Sequence, residues 1–166
     1  MNKFFIAILR LGISATFLAG LFGQIVVVPT AAADYAHVWP GFRPHEAFYV
    51  TLTILGIVCV QLVLAAAWVL LGMIERDAIF NDRAFLWLDV IIGATGAATL
   101  IAVAVAGHLL FANIPEPPGQ DMALLGTFGA VVLCVGAGAA FAMIVAILRG
   151  LLRKATDLQT EMAEVV

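Results

Sequence analysis

Residues 48–74 read FYVTLTILGIVCVQLVLAAAWVLLGMI, a run without a single charged side chain. As an α-helix this run would be about 40 Å long, because each residue adds about 1.5 Å. The hydrocarbon core of a bilayer is about 30 Å thick and offers the backbone no water, so an apolar run of this length is typical of a transmembrane helix. The stretch therefore predicts a membrane span.

Three further segments are of similar length and are predominantly apolar. They are residues 4–28, 85–111 and 122–148. The whole chain of 166 residues is 64% hydrophobic and 11% charged, which is more apolar than a soluble domain of this size. The sequence therefore predicts an all-α membrane protein in the lipid bilayer, with residues 1–166 forming a single four-transmembrane-helix bundle.

The basic side chains divide unequally between the two sides of these spans. Seven of the eight Lys and Arg residues fall on one side, and Arg43 falls alone on the other. The seven are Lys3, Arg10, Arg76, Arg83, Arg149, Arg153 and Lys154. Because positively charged segments stay on the cytoplasmic side, both termini and the loop at 75–83 are predicted to be cytoplasmic in an inner-membrane protein. Residues 29–47 and 112–121 are then predicted to form turns at the outer interface.

A cleaved secretory signal is the alternative for the first span, since Ala31, Ala32 and Ala33 precede Asp34 and imitate a cleavage site. The core of such a signal has about 7 to 15 apolar residues, and the stretch at 4–28 is longer and contains Arg10. A retained helix fits this pattern better. A mature N-terminus at Asp34 would contradict it.

Small residues mark the expected contacts between the third and fourth spans. Helices in lipid associate through close backbone approach and a few hydrogen bonds, which favours Gly and Ala at their interfaces. The small residues at helical spacing are Gly93, Gly96, Ala97, Gly126, Gly129, Gly136, Gly138 and Ala140. We expect these two spans to pack tightly, with Gly136 and Ala140 as a small-xxx-small pair. The alternative is that Gly and Ala are simply common in membrane helices.

Few polar side chains lie within the predicted spans, and each one needs a partner or water. The candidate polar membrane sites are Gln24, Gln61, Asp89 and His108. Interhelical hydrogen bonds explain Gln24, Gln61 and His108 without any chemistry. The alternative is an outward-facing polar pocket at His108 and Gln24, in which the imidazole senses pH or binds a small ligand.

Asp89 lies near the start of the third span, where its carboxylate can reach the cytoplasmic side. We expect an anchoring ion pair with Arg76, Arg83 or Arg10. A proton relay would need ionisable groups through the bilayer, and the 18 residues between Asp89 and His108 contain none. They span about 27 Å of helix, which argues against a proton pump.

The C-terminal segment carries an apolar stripe at alternating steps of three and four residues. After Leu148 its members are Leu151, Ala155, Leu158, Met162 and Val165. This spacing predicts that the fourth helix continues as a cytoplasmic amphipathic tail over residues 149–166. The stripe and Phe80 of the preceding loop are candidate contacts for a protein partner, and the stripe also suits a second copy of the chain. Packing of the stripe against the loop around Phe80 is the alternative.

Several classes of function lack their usual residues here. No nucleophile elbow, phosphate-binding glycine loop, dinucleotide fingerprint or zinc-protease motif is present, so no catalytic, cofactor-binding or metal-ligating residue is predicted. The net charge of −3 and the lack of a polybasic tract argue against direct nucleic-acid binding. Cys59 and Cys134 are far apart without metal-ligand spacing and are predicted to pack as small apolar residues.

Two segments carry a resemblance to a known family. They are AIFNDRAFLWLD at residues 78–89 and LRGLLRKATDLQTEM at residues 148–162. Together they resemble the bacterial membrane-protein family called domain of unknown function 2975, and the similarity covers nearly the whole chain. The resemblance implies a four-span protein of a kind often encoded beside a small helix-turn-helix regulator, and it carries over no catalytic residue.

These observations predict a non-enzymatic inner-membrane protein. Its cytoplasmic loop and tail are expected to engage a protein partner, for which the resemblance suggests a small helix-turn-helix regulator. The alternative from another class is a subunit of an oligomeric small-molecule transporter or channel. Four helices with so few polar residues can hardly enclose a hydrated path without further copies.

Overall fold

The structure, a computed structural model, describes residues 3–38, 40–75, 82–111 and 123–164. All of these residues are helical, and the described part of the chain contains no strand. The chain forms α1 (Lys3–Phe22), a π-helical segment (Gly23–Val27), α2 (Val28–Val38), a 3₁₀ turn (Pro40–His45), α3 (Glu46–Glu75), α4 (Asp82–Phe111) and α5 (Ala123–Glu164). Four of the helical stretches are long and apolar enough to cross a membrane, which confirms the predicted fold class.

The first of these stretches is longer than the sequence suggested. It runs from Phe4 to Val38, whereas the predicted span ended at residue 28 and residues 29–47 were expected to form turns. The expectation was wrong for residues 29–38 because Pro29 does not end the helix. The hydroxyl of Thr30 donates to the carbonyls of Val26 at 2.6 Å and Val27 at 3.2 Å, and three alanines with high helix propensity follow.

The π-helical segment Gly23–Val27 lies directly before Pro29. Proline has no N–H to donate, so it removes one bond of the α-helical ladder and its ring crowds the carbonyl four residues earlier. A wider turn relieves this crowding, and here the N–H of Val28 donates to the carbonyl of Gly23, five residues back. The segment contains Gln24, so the wider turn helps to set the direction of that side chain.

The four long helices pack in a row. The α1 helix contacts α3, α3 contacts α4, and α4 contacts α5. Ala66 of α3, Ile91 of α4 and Val145 of α5 form the buried core where the last three helices meet. Most other large apolar side chains point outward, as expected where lipid rather than protein covers the surface.

The contact between α4 and α5 depends on Gly138. A Cβ atom at this position would lie 2.7 Å from Oγ1 of Thr99, too close for any larger residue without movement. The expected tight packing of these two spans is therefore present. The predicted pair of Gly136 and Ala140 was wrong, since both are exposed and a Cβ on Gly136 would meet no atom within 4 Å. Helical rotation explains the difference, because residue 138 lies on a different face of α5 from residues 136 and 140.

The fourth long helix continues past its predicted span, as the apolar stripe of the C-terminal segment predicted. The predicted span ended at residue 148, and α5 continues without a break to Glu164. Its 42 residues give a length of about 63 Å, roughly twice the thickness of the hydrocarbon core. At least one end of α5 must therefore project from the bilayer unless the helix lies strongly tilted.

Candidate functional site

Two ion pairs connect neighbouring helices, one between α1 and α3 and one between α4 and α5. Both lie toward the end of the bundle where α3 ends and α4 begins. Nη2 of Arg10 in α1 donates to Oε2 of Glu75 at the end of α3, at 2.6 Å. Nη2 of Arg149 in α5 donates to Oδ2 of Asp89 in α4 at 2.9 Å, and Nε of Arg149 lies 2.8 Å from Oδ1. All four side chains are about one-third to one-half exposed, so each charge is still partly solvated. We call this arrangement the ionic end.

The expected ion pair of Asp89 exists, and its partner is Arg149, which was not among the expected partners. Arg10 pairs with Glu75 instead, Arg83 is exposed, and Arg76 lies outside the described residues. Arg149 was missed because it is 60 residues away in sequence. Hydropathy and charge counts identify spans but do not tell which span neighbours which.

The guanidinium of Arg10 also lies above Trp68. Its Cζ atom is 5.6 Å from the centre of the ring, within the range of a cation–π contact. The ion pair and the aromatic contact give Arg10 a defined position between α1 and α3.

Gln24 of the π-helical segment and Gln61 of α3 form a reciprocal amide pair. Nε2 of Gln24 donates to Oε1 of Gln61 at 3.2 Å, and Nε2 of Gln61 donates to Oε1 of Gln24 at 3.4 Å. Gln24 Nε2 also reaches the carbonyl of Ile54 at 3.4 Å. Gly20 makes room for this contact, since a Cβ there would lie 3.2 Å from Nε2 of Gln61. The sequence predicted interhelical hydrogen bonds for both residues but did not identify their partners.

His108 has a different set of neighbours. Its Nδ1 lies 3.0 Å from the hydroxyl of Tyr49, and its ring packs against Phe48 and His45 with centroid separations of 4.6 and 5.4 Å. The hydrogen bonds of Gln24 described above involve Gln61 and Ile54 and none of these side chains. Gln24 and His108 thus have separate partners on α3, which are Gln61 and Tyr49. Tyr49, Phe48 and His45 were missed because aromatic residues near a span end are ordinarily interfacial anchors.

The predicted partner-binding residues are only partly described. Leu151 and Ala155 lie on α5 beyond the ionic end, and both are exposed. Leu158 and Met162 belong to the same helix, but their side chains lie outside the described set, as do all of Phe80 and Val165. Packing of the stripe against the loop around Phe80 therefore falls outside what the structure describes.

The two free cysteines lie on one groove of about 370 Å³ between α3, α4 and α5. Cys59 is buried, Cys134 is exposed, and the rest of the groove is almost wholly apolar. Within the described residues, no group of three or more His, Cys, Asp or Glu side chains is placed to hold a metal ion.

Comparison with known families matches residues 30–166 to the family described as Protein of unknown function (DUF2975). The match includes α3, α4, α5 and the residues of both quoted segments. Neither the curated proteins nor the solved structures gave a match.

Proposed function

This chain belongs to the family of proteins of unknown function DUF2975, and we propose that it is a non-enzymatic inner-membrane protein that presents the end of α5 to a protein partner in the cytoplasm. The observation that carries the proposal is the uninterrupted course of α5 past the ionic end. Arg149 marks that end, and the helix continues for about 22 Å to Glu164.

The surface of this projection supports a protein partner. Leu151 is 59% exposed and Ala155 is also exposed, and both belong to the stripe with steps of three and four residues. An amphipathic helix with such a stripe is suited to an apolar groove or to another helix. A small helix-turn-helix regulator is the partner suggested by the resemblance of the two segments.

The proposed orientation follows from the charges. The ionic end, Arg153 and Lys154 lie on the side that carries seven of the eight basic residues, and that side is expected to be cytoplasmic. The basic residues closest to the membrane would contact anionic lipid, and the acidic residues Asp157, Glu161 and Glu164 would lie farther out.

Capture of partners from cells tests the proposal. A photo-crosslinking residue at position 155 of the full-length protein should yield one discrete adduct, and the double change Leu158→Gln with Met162→Gln should abolish it. The matched control is Gln159→Ala with Thr160→Ala, which alters the same turn of helix outside the stripe and should leave the adduct unchanged.

Other outcomes distinguish the alternatives. An adduct that contains only a second copy of the chain would replace the partner by a homo-oligomer. Selective flux of a small molecule through reconstituted vesicles, unaffected by truncation after Arg153, would favour the transporter or channel subunit and contradict the proposal.

A further inference from the structure

A groove lies between α1 and α3. Its volume is about 520 Å³, and it is lined by four residues of each helix. They are Ile13, Ser14, Phe17, Leu18, Leu64, Ala65, Trp68 and Val69. An apolar cavity of about 150 Å³ holds a benzene molecule, so this groove has room for a considerable length of hydrocarbon chain.

The groove leads to the Arg10–Glu75 ion pair. Trp68 lines the groove, and the guanidinium of Arg10 lies 5.6 Å above its ring. Ser14, also in the lining, donates its hydroxyl to the carbonyl of Arg10 one turn earlier. The apolar groove thus lies next to a cation on α1 and an anion on α3, which are paired with each other.

A zwitterionic headgroup is complementary to both charges, because its anionic group can meet Arg10 and its cationic group can meet Glu75. Arg10 has five N–H donors, of which Nη2 donates to Glu75, and the other N–H groups of its partly exposed guanidinium can donate to a phosphate. Glu75 can accept further hydrogen bonds through its second oxygen. The two side chains are 36% and 43% exposed, so a ligand headgroup can reach both.

We propose that the groove between α1 and α3 binds a phospholipid with a phosphoethanolamine headgroup. Its acyl chain fills the groove beside Trp68, its phosphate accepts hydrogen bonds from Arg10, and its protonated amine donates to Glu75. A choline headgroup carries the same charges but has no N–H to donate, and a phosphoglycerol headgroup has no cation for Glu75. The carboxylate therefore selects the primary amine.

Quenching of Trp68 fluorescence by brominated lipids tests this assignment. The full-length protein carries Trp39→Phe and Trp87→Phe, which leaves Trp68 as its single tryptophan. It is reconstituted in mixed vesicles in which phosphoethanolamine, phosphocholine or phosphoglycerol lipids carry the brominated chains in turn. Relative binding of the phosphoethanolamine lipid should exceed that of the phosphocholine lipid about two- to fivefold, the contribution of one partly exposed ion pair.

Three variants separate the headgroup from the groove. Glu75→Gln should reduce the preference for the amine to parity, and Ala65→Leu should weaken quenching by all three lipids because it fills the groove. Glu46→Gln changes the same residue type at the opposite end of α3 and should leave the preference intact.

Equal quenching by the three lipids would mean that only unselected boundary lipid touches Trp68, and it would overturn the proposal. Strongest quenching by the phosphoglycerol lipid would overturn it too, because Arg10 would then select for negative charge. A preference that survives Glu75→Gln would remove the assigned role of the carboxylate.

Discussion

Single residues decide how closely α4 and α5 approach. We expect Gly138→Ala to lower the free energy of unfolding by about 1–3 kcal/mol, the usual cost of forcing an extra carbon into a packed contact. The hydroxyl of Thr99 cannot easily turn away, since it donates to the carbonyl of Thr95 at 2.9 Å. Reversible unfolding of the purified protein in mixed detergent micelles measures this change.

The controls for this prediction lie on the same helices. Gly136→Ala should be nearly neutral because nothing lies within 4 Å of its Cβ position. Thr99→Ala removes the oxygen that the added methyl group would meet, so combining it with Gly138→Ala should recover most of the lost stability. Equal effects of the changes at 136 and 138 would contradict the packing described.

The amide pair of Gln24 and Gln61 gives a second prediction at this scale. Gln61 is 9% exposed, and Gln61→Leu leaves Gln24 with only the carbonyl of Ile54. We expect either single change to Leu to cost about 0.6 kcal/mol, and up to about 1.7, as found for hydrogen bonds between membrane helices. The double change should cost less than the sum of the single changes, since no amide is then left without its partner. Additive losses in the same unfolding measurement would refute the pairing.

The hydrogen-bond and ion-pair partners of the polar residues could not be predicted from the sequence. The spacing and polarity of Gln24, Gln61 and Asp89 marked them as groups in need of partners, because lipid offers none. Which partner each one finds depends on helix rotation and on the order of helices in the row. Neither quantity appears in the hydropathy of a single span.

Whole helices are linked in pairs by the ion pairs at the ionic end. Asp89→Arg should separate the ends of α4 and α5 through repulsion from Arg149, and the exchange Asp89→Arg with Arg149→Asp should restore their distance. The energy involved is about 0.2–1 kcal/mol because both side chains are partly exposed, so the effect should shrink at high salt. Distances between spin labels at positions 86 and 148, both exposed, measure the separation.

The exchange of charges at the other pair is the matched comparison. Arg10→Glu with Glu75→Arg alters α1 and α3 and should leave the α4–α5 distance unchanged. A persistent separation in the Asp89/Arg149 exchange variant would mean that the two side chains do not hold these helices together.

Helices as units were largely predictable from the sequence. Apolar runs of more than 20 residues indicate a span because lipid offers the backbone no hydrogen-bond partner, whatever the neighbouring helices are, and all four predicted spans are helical. The ends of helices were less predictable. Pro29 reads as a stop signal, but the wider turn before it relieves the crowding by its ring, and the chain continues as a helix to Val38.

The orientation of the whole molecule in the membrane can be measured by cysteine labelling. After Cys59→Ala and Cys134→Ala, a cysteine introduced by Ala163→Cys should react with membrane-impermeant maleimide only in inverted vesicles. Asp34→Cys, in the first long helical stretch, should react only from the outside of intact cells. Reversed labelling of these two positions would overturn the proposed orientation and the proposed cytoplasmic partner.

The unbroken length of α5 has a mechanical consequence. A helix without a hinge moves as a rigid lever, so a change of ten degrees in its inclination shifts Glu164 by about 4 Å relative to Arg149. Long apolar helices alter their inclination when the bilayer becomes thinner or thicker. Membrane thickness would thereby be converted into the position of the helix tip.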